Sequence, residues 1–202
     1  MSESLRDEGV IKYRAIHKNS SSPPVHINLN QLDEVRTKLF DLGLVGAYSD
    51  GIGYGNVSIR NGNGCIISGT STGAVRALGA GGYCYVRSFD LKLNSVNTEG
   101  PILASSESMT HCAIYQAHSS VQCVLHIHNR ALWQKLLDNG YESTSADIPY
   151  GTPQMALSMA TLVRSKLAPS NLLVMAGHDE GIVAYGHTIS SAFDQIKAVL
   201  NN

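Results

Sequence analysis

The chain has 202 residues, of which 43% are hydrophobic and 15% charged, a composition typical of a globular protein with a sizeable core rather than a disordered one. Its formal net charge is −1 and it contains no basic block, which argues against nucleic acid or a membrane surface as a partner. No apolar run reaches transmembrane length, and the first residues lack the hydrophobic segment of a signal peptide. The four cysteines form no CxxC pattern, so we expect reduced thiols in a cytoplasmic protein.

The chain divides into an arm and one domain. Residues 1–28 are predicted to be an irregular N-terminal arm, because the serines and prolines at 20–24 break regular structure. Residues 29–202 are predicted to form a single domain, since no linker or internal repeat interrupts them.

Helices are predicted from apolar residues that recur at helical spacing and from capping residues. Asn30 is the predicted N-cap of the first helix, and Gly43 is its predicted stop. Thr152 followed by Pro153 predicts the start of the fourth helix. The predicted helices are residues 30–42, 106–118, 131–137, 152–167 and 190–200.

Strands are predicted where short runs are rich in β-branched and aromatic residues. The Asn-Gly-Asn-Gly sequence at 61–64 predicts a hairpin turn, because these residues tolerate positive φ angles. Segments 97–100 and 177–181 are also predicted turns. Strands joined partly by hairpins and interspersed with helices indicate an α/β fold with a mixed or mostly antiparallel sheet. The predicted strands are residues 57–60, 65–68, 83–87, 91–96, 121–128, 172–176 and 182–185.

The most distinctive strand ends in His126, Ile127 and His128. Side chains alternate between faces along a strand, so the two histidines are predicted to point one way and Ile127 the other. Two neighbouring imidazoles supply most of a three-histidine metal site, although two ordinary polar residues at a strand end would give the same pattern. The pair indicates a metal site only if a third ligand and a carboxylate are also present.

His178 is the best third ligand, because it lies in a turn between two predicted strands; hydrogen bonding to Asp179 or Glu180 is the alternative. Glu107 opens a predicted helix, where it either complements the helix dipole or serves as a metal ligand and base. His111 follows one turn later; a further nitrogen ligand is one reading of it, but we expect it to support the site or pack behind it. The other histidines are predicted to lie on the surface: His17, His26, His118 and His187.

Three small polar segments are candidates for anion binding. Ser105–Ser106 offers hydroxyl and backbone N–H groups at a helix start, although simple helix capping is the alternative. Gly55–Asn56 and Thr72–Gly73 are loops that can close around a phosphate, although such loops are often only turns. No GxSxG, P-loop or GxGxxG motif has a usable context, and the cysteines lack an activating pattern, so the chemistry of those motifs is not expected.

The order of these pieces resembles that of the class II aldolase/adducin family over roughly residues 30–200. The resemblance implies a single-domain, three-layer α/β/α fold with a central mixed, mostly antiparallel sheet. It also implies a homotetramer with active sites at subunit interfaces. The five motifs that carry the resemblance are Gly55-Asn56-Val57-Ser58-Ile59-Arg60, Thr72-Gly73, Ser105-Ser106-Glu107 with His111, His126-Ile127-His128, and Gly177-His178 through Gly186.

The resemblance assigns roles to the candidate residues. His126, His128 and His178 would bind a divalent metal, usually zinc. Glu107 would ligate the resting metal and shuttle a proton. Residues 68–69 or 70–71 are alternatives for the middle phosphate segment. The residues that would bind the substrate phosphate are Gly55, Asn56, Thr72, Gly73, Ser105 and Ser106.

The implied activity is that of a zinc-dependent, or other divalent-metal-dependent, aldolase-type lyase. It would act on a small phosphorylated ketose through a metal-stabilised enediolate, with Glu107 moving the proton. The family's tyrosine acid has no clear counterpart, and Tyr141 and Tyr150 are the alternatives. An epimerase or dehydratase with the same metal site, and a non-catalytic adducin-like assembly domain, stay open as other functions.

Overall fold

The computed structural model describes residues 9–165 and 170–201 of the chain. Within these residues helices are interspersed among runs of strands, and several strands follow one another directly. A 3₁₀ turn at Ala80–Gly82 precedes the sixth strand. In chain order the elements are β1 (Arg14–Asn19), α1 (Leu29–Asp41), β2 (Gly46–Ala47), β3 (Gly53–Tyr54), β4 (Asn56–Asn61), β5 (Gly64–Ser68), β6 (Tyr83–Asp90), β7 (Ser95–Gly100), α2 (Ser108–Ala117), β8 (Cys123–His128), α3 (Arg130–Asp138), α4 (Pro153–Ser165), β9 (Leu172–Val174), β10 (Gly181–Gly186) and α5 (Ile189–Leu200).

An eight-stranded sheet forms the centre of the molecule, in the order β1-β7-β6-β5-β4-β8-β10-β9. Among the described strands β1 pairs with β7 in parallel, and the other neighbours in this sheet are antiparallel. β2 and β3 form a separate small ladder. The predicted mixed, mostly antiparallel sheet is therefore confirmed, and the predicted hairpin turn at 61–64 joins β4 to β5.

Alternation along the strands divides the core into two clusters on opposite faces of the sheet. Cys65 and Ile67 of β5 pack in one cluster with α2 and α4, whereas Ile66 packs in the other with α1, α3 and α5. β8 behaves in the same way, with Val124 in the first cluster and Leu125 in the second. Helices therefore cover both faces, which confirms the three-layer α/β/α fold.

The predicted helices are present, with differences at their ends. The predicted N-cap at Asn30 is wrong, because α1 begins at Leu29 after Asn28, whose side chain makes no capping hydrogen bond. Gly43 has φ +68° directly after the helix, as its prediction as a stop requires. The Oγ1 of Thr152 accepts a hydrogen bond from the Met155 N–H at 3.2 Å and caps α4, whose predicted end near residue 167 lies outside the described residues. No helix of the described ranges is long and apolar enough to cross a bilayer.

The predicted strand at 91–96 is wrong for residues 91–94, and the predicted turn at 97–100 is wrong. Residues 91–94 form the turn, and β7 starts at Ser95. Asp90 Oδ1 closes this turn by accepting hydrogen bonds from the Lys92 N–H at 2.8 Å and the Leu93 N–H at 2.9 Å. The apolar residues there suggested a strand, but Leu93 is exposed to solvent.

The prediction of an irregular arm at 1–28 is wrong for part of its described length. Residues 14–19 form β1, which extends the central sheet by pairing with β7. All six residues of β1 are exposed or only partly buried, so this edge strand carries no alternating apolar pattern that a sequence could reveal. Residues 1–8 of the predicted arm lie outside the described part of the chain.

Candidate metal centre and anion cleft

The register of three central strands places the candidate residues at one edge of the sheet. β8 lies between β4 and β10, and both neighbours run antiparallel to it. Asn56 at the start of β4 is paired with His126, and Gly181 at the start of β10 is paired with His128. The start of β4, the end of β8 and the turn before β10 therefore meet.

The structure brings together the three histidines that were predicted to bind metal. One nitrogen of each of His126, His128 and His178 lies within 4.8 Å of those of the other two. His126 Nε2 and His128 Nε2 are 2.8 Å apart, and all three side chains are at least 96% buried. Ile127 points to the opposite face and packs among apolar residues, as strand alternation predicts.

Two glycines and a tyrosine hold His178 in its turn. A side chain at Gly177 would overlap the carbonyl oxygen of Ile148, and a Cβ at Gly181 would lie 2.6 Å from His178 Cδ2. The Tyr150 ring stacks on the His178 imidazole with ring centroids 4.6 Å apart. Only glycine at both positions allows the turn to pack this closely.

Glu107 lies beside the histidine cluster at the start of α2. The helix begins at Ser108 rather than at the predicted residue 106, so Glu107 occupies the N-cap position and not the first turn. Its Oε2 is 3.2 Å from His126 Nδ1 and its Oε1 is 3.9 Å from His178 Nε2. Asn56 Nδ2 donates a hydrogen bond to Oε2 at 3.1 Å, whereas no described residue donates one to Oε1.

Burial sets the protonation of this centre. It raises the pKa of Glu107 to about 7, against the opposing effects of the Asn56 hydrogen bond and the positive charge of Lys12. Burial, and next the proximity of His128 and His178, holds the pKa of His126 well below its usual value. The centre therefore combines a neutral imidazole with a carboxyl group that exchanges its proton near neutral pH.

His111 is buried behind the centre and does not belong to the histidine cluster. Its Nδ1 is 2.7 Å from Ser58 Oγ, which is also 2.7 Å from the Tyr115 hydroxyl. Burial lowers the pKa of His111 to about 3, so the ring is neutral. Of the histidines predicted to lie on the surface, His187 is exposed, and the others are partly buried: His17, His26 and His118.

The residues present fit a divalent metal ion. Neutral imidazole nitrogens and a carboxylate are the usual protein ligands of zinc and of several other divalent metals. Three such nitrogens converge here, and Glu107 Oε1 faces them as a buried acceptor to which no described residue donates. A buried, unsatisfied carboxylate oxygen beside three imidazoles is costly unless a cation or a proton balances it.

A small polar cleft of about 30 Å³ adjoins the histidine cluster. All six residues predicted to bind phosphate line it, although the sequence had separated them into three segments. Gly69, Thr70 and Ser71 line it as well, so the whole middle segment faces the cleft. Its lining residues are Gly9, Gly53, Gly55, Asn56, Gly69, Thr70, Ser71, Thr72, Gly73, Ser105 and Ser106.

Close backbone packing and one buried arginine hold the middle segment in place. A Cβ at Gly73 would overlap the carbonyl oxygen of Gly46. The Arg36 guanidinium, 98% buried, donates to the carbonyl oxygens of Thr72 at 2.9 Å and Arg76 at 2.8 Å, and also to that of Val75. Arg36 was not predicted from the sequence, where its only signal is a charged residue on the apolar face of α1.

The N-terminal segment also contributes to the site, which no motif predicted. Gly9 lines the cleft, and the Tyr13 hydroxyl donates to the carbonyl oxygen of Ser105 at 3.0 Å. Lys12 Nζ lies 3.9 Å from the centroid of the Tyr150 ring. Of the two tyrosines considered as acids, Tyr150 is therefore at the site, whereas Tyr141 packs against the core on the other face of the sheet.

Comparison with known proteins agrees with this geometry. Residues 34–201 match the family described as the class II aldolase and adducin N-terminal domain, so the chain belongs to the class II aldolase/adducin family. No curated protein matches the sequence.

Two solved structures illustrate the likeness of fold. The l-fuculose-1-phosphate aldolase from Thermus thermophilus is 21% identical over 84% of each chain, with a TM-score of 0.59. A sugar-phosphate aldolase from Thermotoga maritima is 17% identical over 85% of this chain and 89% of its own, with a TM-score of 0.63. At these identities the similarity establishes the fold, and the function has to be argued from the site.

Proposed function

We propose that this protein is a zinc-dependent, or other divalent-metal-dependent, aldolase-type lyase that cleaves a small phosphorylated ketose. The observation that carries the proposal is the convergence of three histidines and Glu107 beside the polar cleft. Asn56 belongs to both parts, since it lines the cleft and donates to Glu107 at 3.1 Å. A substrate whose phosphate lies in the cleft therefore extends towards the histidines.

His126, His128 and His178 would hold the metal, and Glu107 would be a further ligand of the resting site. Three imidazoles with one replaceable ligand are typical of catalytic rather than structural zinc sites. The bound cation supplies Lewis-acid stabilisation of negative charge that develops on the substrate oxygens.

Glu107 is the group that moves a proton. In the metal-free protein burial raises the pKa of Glu107 to about 7, so a Glu107 carboxyl group that is not bound to the cation can both take and return a proton near neutral pH. Asn56 orients the carboxylate through its hydrogen bond to Oε2, which leaves Oε1 directed at the centre. In the cleavage direction of the proposed reaction, the carbon–carbon bond would break as the hydroxyl of the departing aldehyde loses its proton to the residue of the neighbouring subunit, and protonated Glu107 would then deliver its proton to the remaining substrate carbon. In the synthesis direction Glu107 would remove that proton before the carbon–carbon bond forms.

The cleft supplies binding and orientation. The six residues predicted from the sequence to bind phosphate contribute hydroxyl, amide and backbone groups around one small volume. Ser105 and Ser106 immediately precede α2, whose N-terminal dipole favours an anion there. Fixing the phosphate in this way positions the carbonyl end of the substrate and reduces the entropic cost of reaction.

The proposal includes a homotetramer with active sites at its subunit interfaces, as the family resemblance implies. A residue from a neighbouring subunit would then supply the acid that completes the reaction. It also includes a cytoplasmic location, supported by four buried free thiols. Size-exclusion chromatography with light scattering tests the assembly directly.

Metal content is the first test. Elemental analysis of the protein purified without chelator is expected to give about one divalent ion per chain. The double variant His126→Ala/His128→Ala should lose the ion while its circular dichroism stays unchanged. His187→Ala is the matched control, because this histidine is exposed and should leave metal content unaffected. A wild-type protein that takes up no zinc, manganese or cobalt would favour the non-catalytic assembly domain.

Product analysis tests the reaction itself. Phosphorylated ketoses incubated with the metal-loaded protein should yield two shorter carbon fragments. Epimerised or dehydrated products would instead assign one of the other reactions that use the same metal site. Glu107→Gln should lower kcat by about 10²–10⁴, because it removes the proton-transfer group. Undiminished turnover in that variant would exclude the proposed role of Glu107.

A further inference from the structure

Two residues outside the predicted site are linked to the histidine cluster by hydrogen bonds that lead to His128. Tyr48 lies in the loop between β2 and β3, and Glu180 is the last residue of the turn before β10. The Tyr48 hydroxyl oxygen is 3.0 Å from His128 Nδ1 and donates its proton to Glu180 Oε2 at 2.8 Å. Three segments that are distant in the sequence thus meet in one short hydrogen-bonded chain.

The single proton of the Tyr48 hydroxyl determines which ring nitrogen of His128 carries a proton. A tyrosine hydroxyl has a single proton, and Tyr48 donates it to the Glu180 carboxylate. The contact with His128 Nδ1 therefore uses the Tyr48 oxygen as acceptor, which places the imidazole proton on Nδ1. His128 Nε2 then carries the lone pair, and this is the nitrogen that faces His126 Nε2 at 2.8 Å.

We propose that Tyr48 and Glu180 are positioning residues that hold His128 in the tautomer and orientation required for metal binding through Nε2. The inference rests on the proposed metal site and deepens it. Partners of this kind, which bind the second nitrogen of a ligating histidine, orient the ring and raise its affinity for the metal. Ring contacts also restrain Tyr48, whose centroid lies 4.5 Å from that of Tyr54.

The backbone at Glu180 supports a specific role for its side chain. Glu180 has φ +70°, in the left-handed region that glycine adopts at little cost and other residues disfavour. Within the described residues only Ser71 and Asn94 share this feature among non-glycine residues. The adjacent Asp179 is exposed and pairs with Arg130 at 2.9 Å, away from the histidines. The turn thus directs one acidic side chain to the Tyr48 hydroxyl beside His128 and the other into solvent.

Zinc affinity provides the test. Tyr48→Phe removes only the hydroxyl group, so it should weaken Zn²⁺ binding about 10–100-fold in competition with a chromophoric chelator at neutral pH. Glu180→Gly removes the carboxylate and the unfavourable backbone conformation together. It should weaken Zn²⁺ binding to a similar degree while the melting temperature of the metal-free protein stays equal or rises. The visible absorption of the Co²⁺-loaded protein should change in both variants.

Asp179→Asn is the matched control, because it changes the neighbouring acid of the same turn and should keep wild-type affinity. Wild-type Zn²⁺ affinity in Tyr48→Phe and Glu180→Gly would overturn the inference while leaving the metal site intact. An equal loss in Asp179→Asn would also overturn it, since the effect would then belong to the turn as a whole. A wild-type protein that binds no Zn²⁺ would overturn both this inference and the proposed function.

Discussion

The metal centre and the anion cleft lie side by side and share Asn56, yet they are built in different ways. The centre takes two of its histidines from one strand and the third from the turn before a neighbouring strand, so hydrogen-bonded register fixes their positions. The cleft is lined by Gly9, by residues in and between β3 and the start of β4 (Gly53, Gly55 and Asn56), and by the segments 69–73 and 105–106. Glycine contacts and the side chain of Arg36 hold the middle segment in place.

Under the proposed function, this difference would separate reaction chemistry from substrate recognition. The strand register determines which side chains reach the histidine cluster, so the positions available to ligands are set by the sheet itself. Loops tolerate substitution and insertion more readily, so the cleft can change its preference while the metal centre stays constant. Variants in each region test whether zinc affinity and KM can be changed independently.

The largest effects are expected from paired glycine substitutions, one in each region. Gly177→Ala and Gly73→Ala each drive a Cβ into a backbone carbonyl oxygen, so each should lower the free energy of unfolding by about 2–4 kcal/mol. Gly177→Ala should weaken Zn²⁺ binding, whereas Gly73→Ala should raise KM for a phosphorylated substrate and keep its metal. Urea unfolding, zinc titration and steady-state kinetics measure these effects.

Gly81→Ala is the control for this pair, since no atom lies near its added Cβ. Loss of zinc affinity in Gly73→Ala equal to that in Gly177→Ala would show that the two regions do not respond separately.

A similar effect, confined to the metal centre, is expected from the titration of Glu107. A glutamate titrates near pH 4.5 when unfolded and Glu107 near pH 7 when folded, so the native metal-free protein binds this proton more tightly. The resulting stability is complete below pH 4.5 and is lost as the pH rises to about 7, a loss on the order of 3 kcal/mol. Glu107→Gln should lack this contribution.

Urea unfolding of both metal-free proteins between pH 4.5 and 8 tests this titration. The wild-type stability relative to the variant should decline over that interval. A difference that does not change with pH would contradict the raised pKa.

The next effect is confined to the cleft. Arg36→Met removes the guanidinium that binds backbone carbonyl groups of residues 72–76 and should destabilise the fold by about 1–3 kcal/mol. It should also raise KM for a phosphorylated substrate, with zinc affinity unchanged. Arg76→Met is the matched control: Arg76 forms an exposed, solvent-screened ion pair with Asp41 at 2.6 Å, so its loss should destabilise the fold much less than the loss of Arg36. Equal destabilisation by the two variants would contradict the anchoring role of Arg36.

The smallest effect provides a baseline outside both regions. Thr188 caps α5 by accepting a hydrogen bond from the Ser191 N–H at 3.0 Å. Thr188→Ala should lower the free energy of unfolding by about 1 kcal/mol and leave zinc affinity and KM unchanged. A change in zinc affinity or in KM would mean that general destabilisation, rather than local geometry, explains the effects of the other variants.

Features encoded by local patterns could be predicted from the sequence. The alternation through His126, Ile127 and His128 predicted which side chains share a face, and the structure agrees. Thr152 with Pro153 marked the start of α4 for equally local reasons. The motifs that resemble those of the family are short and continuous, so they could be recognised in the sequence. They contain all six of the predicted residues that line the cleft.

Features that depend on distant contacts could not be predicted in this way. β1 is an exposed edge strand without apolar alternation, so only its pairing with β7 defines it. Arg36 gains its role from carbonyl groups almost forty residues later in the chain. Tyr48 and Glu180 are separated by most of the domain, and no sequence pattern relates a loop tyrosine to a turn glutamate.

The pairing of β4, β8 and β10 has a consequence for the order of events during synthesis. The centre needs Asn56, His126 and His178 in place together, so it cannot exist until the chain has been made through residue 178 and the long-range strand pairs have closed. A chain made only as far as residue 177 therefore lacks one of the three histidines that would hold a metal. Under the proposed function, complete metal coordination would follow the pairing of these strands.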